Sequence, residues 1–433
     1  MREKMKKTLE DAKKIIVTYK YIFILYTVIF LAIIAVSIMF IDKRFEKSGG
    51  ANNSGPAIGQ TENTQKTKLP QGTNEWLTTL SSCPSGKELF TTFPVKEGDY
   101  TAIIPLGNTN PTGHVFPTDH IYVEVFDPQN PALMKTAGRK ALISPADMWI
   151  FGIQKSEQVG GITDWGMDFS PCRDIKGKFG HVGTISAKLQ TEVDKAEGKC
   201  DEYVTGGNTY RSCRYEELKI RVKAGEVIGT SGSERSGMLD IWMSDYRETP
   251  IKRANESRWD SQLNYVSCFL DYYKPSLTEK YYDLLRGPNN GKRAKEPRCG
   301  TTEVDIAGTA QGVWFYNLQG QVRQEDPHLA LVFDNLETDK QIFSVGTSAK
   351  GAGIPSGTFY FAPQGMGRVN RDFSQVTADG SVYCYNSGQR NGGTTKSILL
   401  TMPSAEKLRI KSFAYSCGAG PWTVGDGFVE YDR

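Results

Sequence analysis

Residues 218–232 read LKIRVKAGEVIGTSG. Apolar and β-branched residues alternate with polar ones on both sides of an Ala-Gly turn signal, the texture of two short strands joined by a tight reversal. The same texture extends outward from this run. Toward the N-terminus lie TAIIPLG (101–107), HIYVEVFD (120–127), ALISPADMWIFGIQ (141–154) and DWGMDFSP (164–171), and just beyond it lies MLDIWMSD (238–245). β-branched and aromatic residues at this spacing, punctuated by Gly and Pro, predict an all-β domain over residues 76–254. Residues 255–298 read differently, as a helical connector. Ser276-Leu277-Thr278-Glu279 has the form of a capping box, Leu277, Tyr281, Leu284 and Leu285 recur at helical spacing, and Gly287-Pro288 is a stop signal. GKRAKEPR (291–298) closes the connector as a polar linker. Strand-like runs resume over 299–433, among them GVWFYNL, LALVFDN, GTFYFAPQG and LRIKSFAYS, and predict a second β domain. No repeat of fixed period relates the two.

The chain has 433 residues and a formal net charge of +3. Residues 1–20 carry seven Lys or Arg against three acids, a net of +4, which leaves residues 21–433 at −1. A near-neutral body lacks the basic face that phosphate neutralisation demands, so nucleic acid is excluded as a partner. From Tyr21 to Ile41 runs YIFILYTVIFLAIIAVSIMFI, without a single charge. A helix of that length spans roughly 30 Å, the hydrocarbon thickness of a bilayer. The reading is a single-pass plasma-membrane anchor; a cleaved signal peptide, with the small residues after Lys47 as its processing site, is the alternative. Seven Lys or Arg precede the span and three follow it, which places the N-terminus in the cytoplasm and the rest outside the cell membrane. Residues 42–75, rich in Gly, Asn, Thr and Gln, read as a flexible tether. All eight cysteines follow the span, and none forms a CxxC pair. An even count on the oxidising side predicts disulfides, with Cys200–Cys213 and Cys384–Cys417 as the favoured pairs; buried free thiols are the other reading.

Familiar catalytic signatures are missing: no GxSxG, no phosphate loop, no HExxH, and only four histidines, His114, His120, His181 and His328. What remains is a distributed order. His120-x-x-x-Glu124 is followed by Ser144-Pro145-Ala146-Asp147, Gly180-His181, the Val-Lys-Ala-Gly-Glu run at 222–226, and Met238-Leu239-Asp240. Over about residues 104–247 this order resembles the lysostaphin-type zinc endopeptidases, which cut peptidoglycan peptides and carry HxxxD, an APADG-like turn, an HL pair, VKAGQxIG and HLH. Gly113 to Tyr122 (GHVFPTDHIY) and Ala307 to Phe315 (AGTAQGVWF) also resemble segments of uncharacterised membrane-anchored prokaryotic proteins, which imply no activity.

The peptidase resemblance implies a barrel-sandwich-like β domain and, residue by residue, a zinc site. His120 and Glu124 fall on its first two ligands and Asp240 on the third, while His181 falls on one acid–base histidine. Met238 falls on the other, and a thioether handles no protons. Losing such a group costs about 10²–10⁴-fold in rate. The expectation is therefore a degenerate, non-hydrolytic domain without a cofactor that binds a cell-wall peptide, glycan or envelope protein. A zinc-dependent endopeptidase is the alternative. Blander readings stand beside these: Met238 as an apolar strand residue, His120 and His181 as hydrogen-bonded framework, His114 in a turn, and His328 without chemistry. Trp314, Phe315, Tyr316, Tyr360, Phe361, Tyr383, Tyr385 and Trp422 suit either a sugar-stacking face or a β core.

Overall fold

The computed structural model describes residues 74–433, apart from 126–138, 159–160, 162, 206–207, 234–235, 288–290, 294, 390–395 and 419. The basic tail, the apolar span from Tyr21 to Ile41 and the tether up to residue 73 lie outside the described residues. Among the described residues no helix is long and apolar enough to cross a membrane. The fold is mainly β, as the alternating runs predict, and its strands lie in two antiparallel sheets.

The first sheet holds β1 (Ala102–Ile104), β2 (His120–Glu124), β3 (Lys140–Ile143), β4 (Met148–Gln158), β5 (Thr163–Cys172), β6 (Ile175–Ile185), β7 (Lys199–Thr205), β8 (Asn208–Tyr215), β9 (Ile220–Val222), β10 (Val227–Ser231) and β11 (Met238–Asp245). Its main order is β1-β2-β11-β6-β5-β4-β8-β7, with β10 bridging β3 and β6 and with β9 on β4. Period-two alternation decides which face is core. Ile121 and Val123 of β2, Leu239, Ile241 and Met243 of β11, Phe179 of β6 and Met167 of β5 are buried in one apolar cluster. His120, Asp240, Trp242, Lys178 and Asp168 therefore belong to the opposite face.

The two turn motifs prominent in the sequence hold each other. Asp147 Oδ1 accepts from the Ala224 amide at 3.0 Å, and the Gly225 amide donates to the Ser144 carbonyl at 2.9 Å. Gly225 sits at φ 82°, a conformation that only glycine adopts cheaply. Their role is to anchor β10 against β3.

A short helix α1 (Ala187–Lys195) follows β6 and buries Leu189 and Val193. In the connector, α2 spans Pro275–Tyr282 with Lys274 as its N-cap, and no side chain caps it. The expected capping box at Ser276 is not formed. Pro275, with its fixed φ and missing amide, starts the helix two residues earlier and moves Ser276 inside the first turn. Glu279 pairs instead with Arg298 at 2.7 Å.

The second sheet comprises β12 (Gly312–Trp314), β13 (Leu329–Phe333), β14 (Gln341–Val345), β15 (Gly357–Phe361), β16 (Tyr383–Gln389), β17 (Lys396–Ser404), β18 (Lys407–Phe413) and β19 (Val429–Asp432). They pair in chain order as a meander. Reciprocal backbone bonds between Phe315 and Asp432, at 2.7 and 2.8 Å, bring its two ends together into a near-barrel. Trp314, Phe361, Tyr383 and Tyr385 fill its interior. Those rings serve as core, so they offer no sugar-stacking face. The described residues form one compact unit, and the two sheets meet through Val115 and Phe116, which pack with Trp259, Val313, Phe315 and Val332.

All eight cysteines are paired: Cys83–Cys172, Cys200–Cys213, Cys268–Cys299 and Cys384–Cys417. Both favoured pairs are present, and four disulfides fit an oxidising compartment.

Candidate functional site

Antiparallel pairing sets Asp240 opposite Tyr122 and Trp242 opposite His120 on β2, and on its other side Asp240 opposite Gly180 and Trp242 opposite Lys178 on β6. His120, Asp240 and the residues of β6 therefore meet on one face by register alone. Asp240 Oδ2 stands 3.7 Å from His120 Nε2 and 3.4 Å from His181 Nε2.

Each imidazole is oriented from behind by a carboxylate. His120 Nδ1 lies 2.9 Å from Asp119 Oδ1, which also accepts from Trp242 Nε1 at 2.8 Å. His181 Nδ1 lies 2.8 Å from Asp164 Oδ2 on β5. A carboxylate at Nδ1 favours the Nδ1–H tautomer, which turns both Nε2 atoms toward Asp240. His181 reaches this position at a backbone cost. Its φ is 54°, in the left-handed region, and the register shifts beside it, between Trp165 and Met167 on β5 and between Thr230 and Ser231 on β10. Bulges of this kind re-aim a side chain out of the strand's regular alternation.

Burial shapes the electrostatics. It raises the Asp240 carboxyl above the usual range, against the pull of His120 and His181. Burial also opposes the ionised form of Asp119, but the hydrogen bonds from His120 and Trp242 outweigh it and hold that carboxyl low. His114, whose ring lies 5.3 Å from that of His120, is lowered to about 4 by burial and then by His120. Its backbone bonds reciprocally with Asn110, as a turn residue does.

Glu124 does not join this group. It shares a face with His120 along β2, but Tyr122 stands between them, its ring 4.6 Å from the imidazole. Glu124 Oε2 instead accepts from Thr101 at 3.3 Å and feels the charge of Arg286. Met238 lies directly opposite Glu124 in the ladder. Among the described residues no three His, Cys, Asp or Glu side chains are placed to hold a metal ion. Of the set His120, Glu124 and Asp240 that the sequence singles out, His120 and Asp240 face each other, and Glu124 is turned to Thr101.

Beside the cluster, on the same sheet face, opens a cavity of about 170 Å³ lined by Asp164, Asp240, His181, Lys178, Trp165 and Trp242, among others. Asp119, Asp164, Trp242 and Lys178 were not singled out in the sequence. Asp119 adjoins His120 and is the one that adjacency could have flagged; Asp164 arrives from another strand, and nothing in its neighbourhood marks it. His328 is far from this chemistry in role: its Nδ1 accepts from the Tyr316 amide at 2.9 Å, and its ring stacks on Phe116.

No family model, curated protein or solved structure matches the chain.

Proposed function

We propose that this chain is a membrane-anchored cell-envelope protein whose first sheet derives from a lysostaphin-type peptidase and now serves binding rather than hydrolysis. The observation that carries the reading is the division of β2. Tyr122 occupies the strand position between His120 and Glu124, so the imidazole and the carboxylate expected to share a metal face different partners. Opposite Glu124, Met238 offers no proton donor or acceptor. An open polar cleft with two indoles remains, which is what a binding site requires. The four disulfides support an extracytoplasmic location, and the uncharged run from Tyr21 to Ile41 supports the anchor.

The test is co-sedimentation of the detergent-solubilised full-length chain with purified cell-wall polymer, followed by mass spectrometry of the soluble fraction. Retention without released peptides is the expected result. Release of wall peptides that stops on His181→Ala would establish the endopeptidase alternative, and failure to sediment with any wall polymer or wall peptide would remove the binding reading.

A further inference from the structure

The cavity beside Trp242 is charged unevenly. At one end, Asp164 and Asp240 each keep an oxygen, Oδ1, without a hydrogen-bond partner among the described residues, and His120 Nε2, 3.7 Å from Asp240 Oδ2 but outside the cavity lining, also lacks one. Asp240 is only 4% exposed and His120 only 2%. Three desolvated acceptors in one cluster are costly unless a donor reaches them. At the other end stands Lys178, whose Nζ donates to Gln154 Oε1 at 3.2 Å and lies 5.4 Å from the Trp242 ring. Asp240 and Lys178 are diagonal neighbours on β11 and β6, a separation of roughly 7–8 Å. Gly166 and Gly180 keep the floor between them bare. A Cβ at Gly180 would come within 2.7 Å of the Trp242 ring, and one at Gly166 within 3.0 Å of Lys178 Cε.

A primary ammonium brings three N–H donors and no acceptor, the complement of the acidic end, while Lys178 complements a carboxylate. Building on the binding function proposed above, we infer that the cleft recognises a zwitterionic α-amino-acid group, with its ammonium at Asp164 and Asp240 and its carboxylate at Lys178. The indoles of Trp165 and Trp242 wall the cavity, whose 170 Å³ matches the volume of about five or six waters and suits one such group.

Isothermal calorimetry on the solubilised full-length chain, with D- and L-alanine, N-acetylalanine and alaninamide as probes, tests this. Alanine of at least one hand binds, and N-acetylation weakens binding about tenfold or more, the scale of a lost charge-assisted hydrogen bond. Asp240→Asn and Asp164→Asn each erase the preference for alanine over N-acetylalanine, and Lys178→Met erases the preference over alaninamide, with thermal melts confirming that the variants fold. Equal binding of alanine and N-acetylalanine overturns the inference, as does no binding of alanine, or Zn²⁺ binding that displaces it. The two proposals fail separately. If wall polymer sediments with the chain equally well after its free amines are acetylated, this inference falls and the binding function stands; if alanine binds and no polymer sediments, the reverse holds.

Discussion

At the scale of single residues, the site is an exercise in desolvation. Two imidazoles, each backed by a carboxylate, point at a third carboxylate; the register of β2 and β11 places His120 and Asp240, and a bulge brings His181. His181 alone breaks the regular backbone to take part, at φ 54°. A β-carbon in that conformation costs on the order of 1–2 kcal/mol, so the position is strained for the sake of the side chain it carries. His181→Gly and His181→Ala both lose the 2.8 Å contact with Asp164, but only glycine relaxes the backbone. Urea melts should therefore place the glycine variant above the alanine variant by about 1 kcal/mol. An alanine variant equal to or more stable than glycine would mean that the residue bears no such strain.

At the scale of elements, the interlocked turns explain why residues 218–232 are so informative. Gly225, at φ 82° with open space around its α-carbon, is required by conformation and not by crowding. Gly225→Ala should cost about 1 kcal/mol in a urea melt, and Asp147→Ala should lower the midpoint further while adding less than its separate effect, since both act on one turn. Strict additivity would show that the turns do not depend on each other. The strands themselves were legible because period-two burial is written directly in residues such as Leu239, Ile241 and Met243. Two features were not. The start of α2 was displaced because Pro275 outranks a serine three residues before a glutamate as a starting signal. The partnership of Asp164 with His181 was hidden because a bulge, which no alternation pattern records, joins positions on separate strands. Glu124 shows the same limit from the other side: a four-residue spacing puts two side chains on one face, yet says nothing of what Tyr122 does between them.

At the scale of the whole molecule, the second sheet reaches the site through one loop. Phe116 stacks on His328 and packs against Trp259 and Phe315, and its amide donates to Glu325 Oε2 at 2.9 Å. Three residues later the same loop supplies Asp119 and then His120, so the near-barrel helps to seat the imidazole. Burial raises the Glu325 carboxyl to about 8, the nearby charge of Asp119 adds to this, and the backbone bonds from Phe116 and Val115 resist it. A glutamate whose folded pKa lies above its unfolded value near 4.3 binds more protons in the folded state between those limits. Its charge is therefore penalised on folding, and the stability it permits is full below about pH 4.3 and declines until about pH 8. Glu325→Gln keeps an acceptor for the Phe116 amide and removes the charge. Its melting temperature should match that of the unaltered chain near pH 4.5 and rise above it progressively toward pH 8. Partial solvent exposure of the side chain limits the gap to about 1–3 kcal/mol. If the glutamine variant instead melts lower at pH 8, the ionised carboxylate is holding the loop, and the near-barrel seats His120 through charge rather than in spite of it.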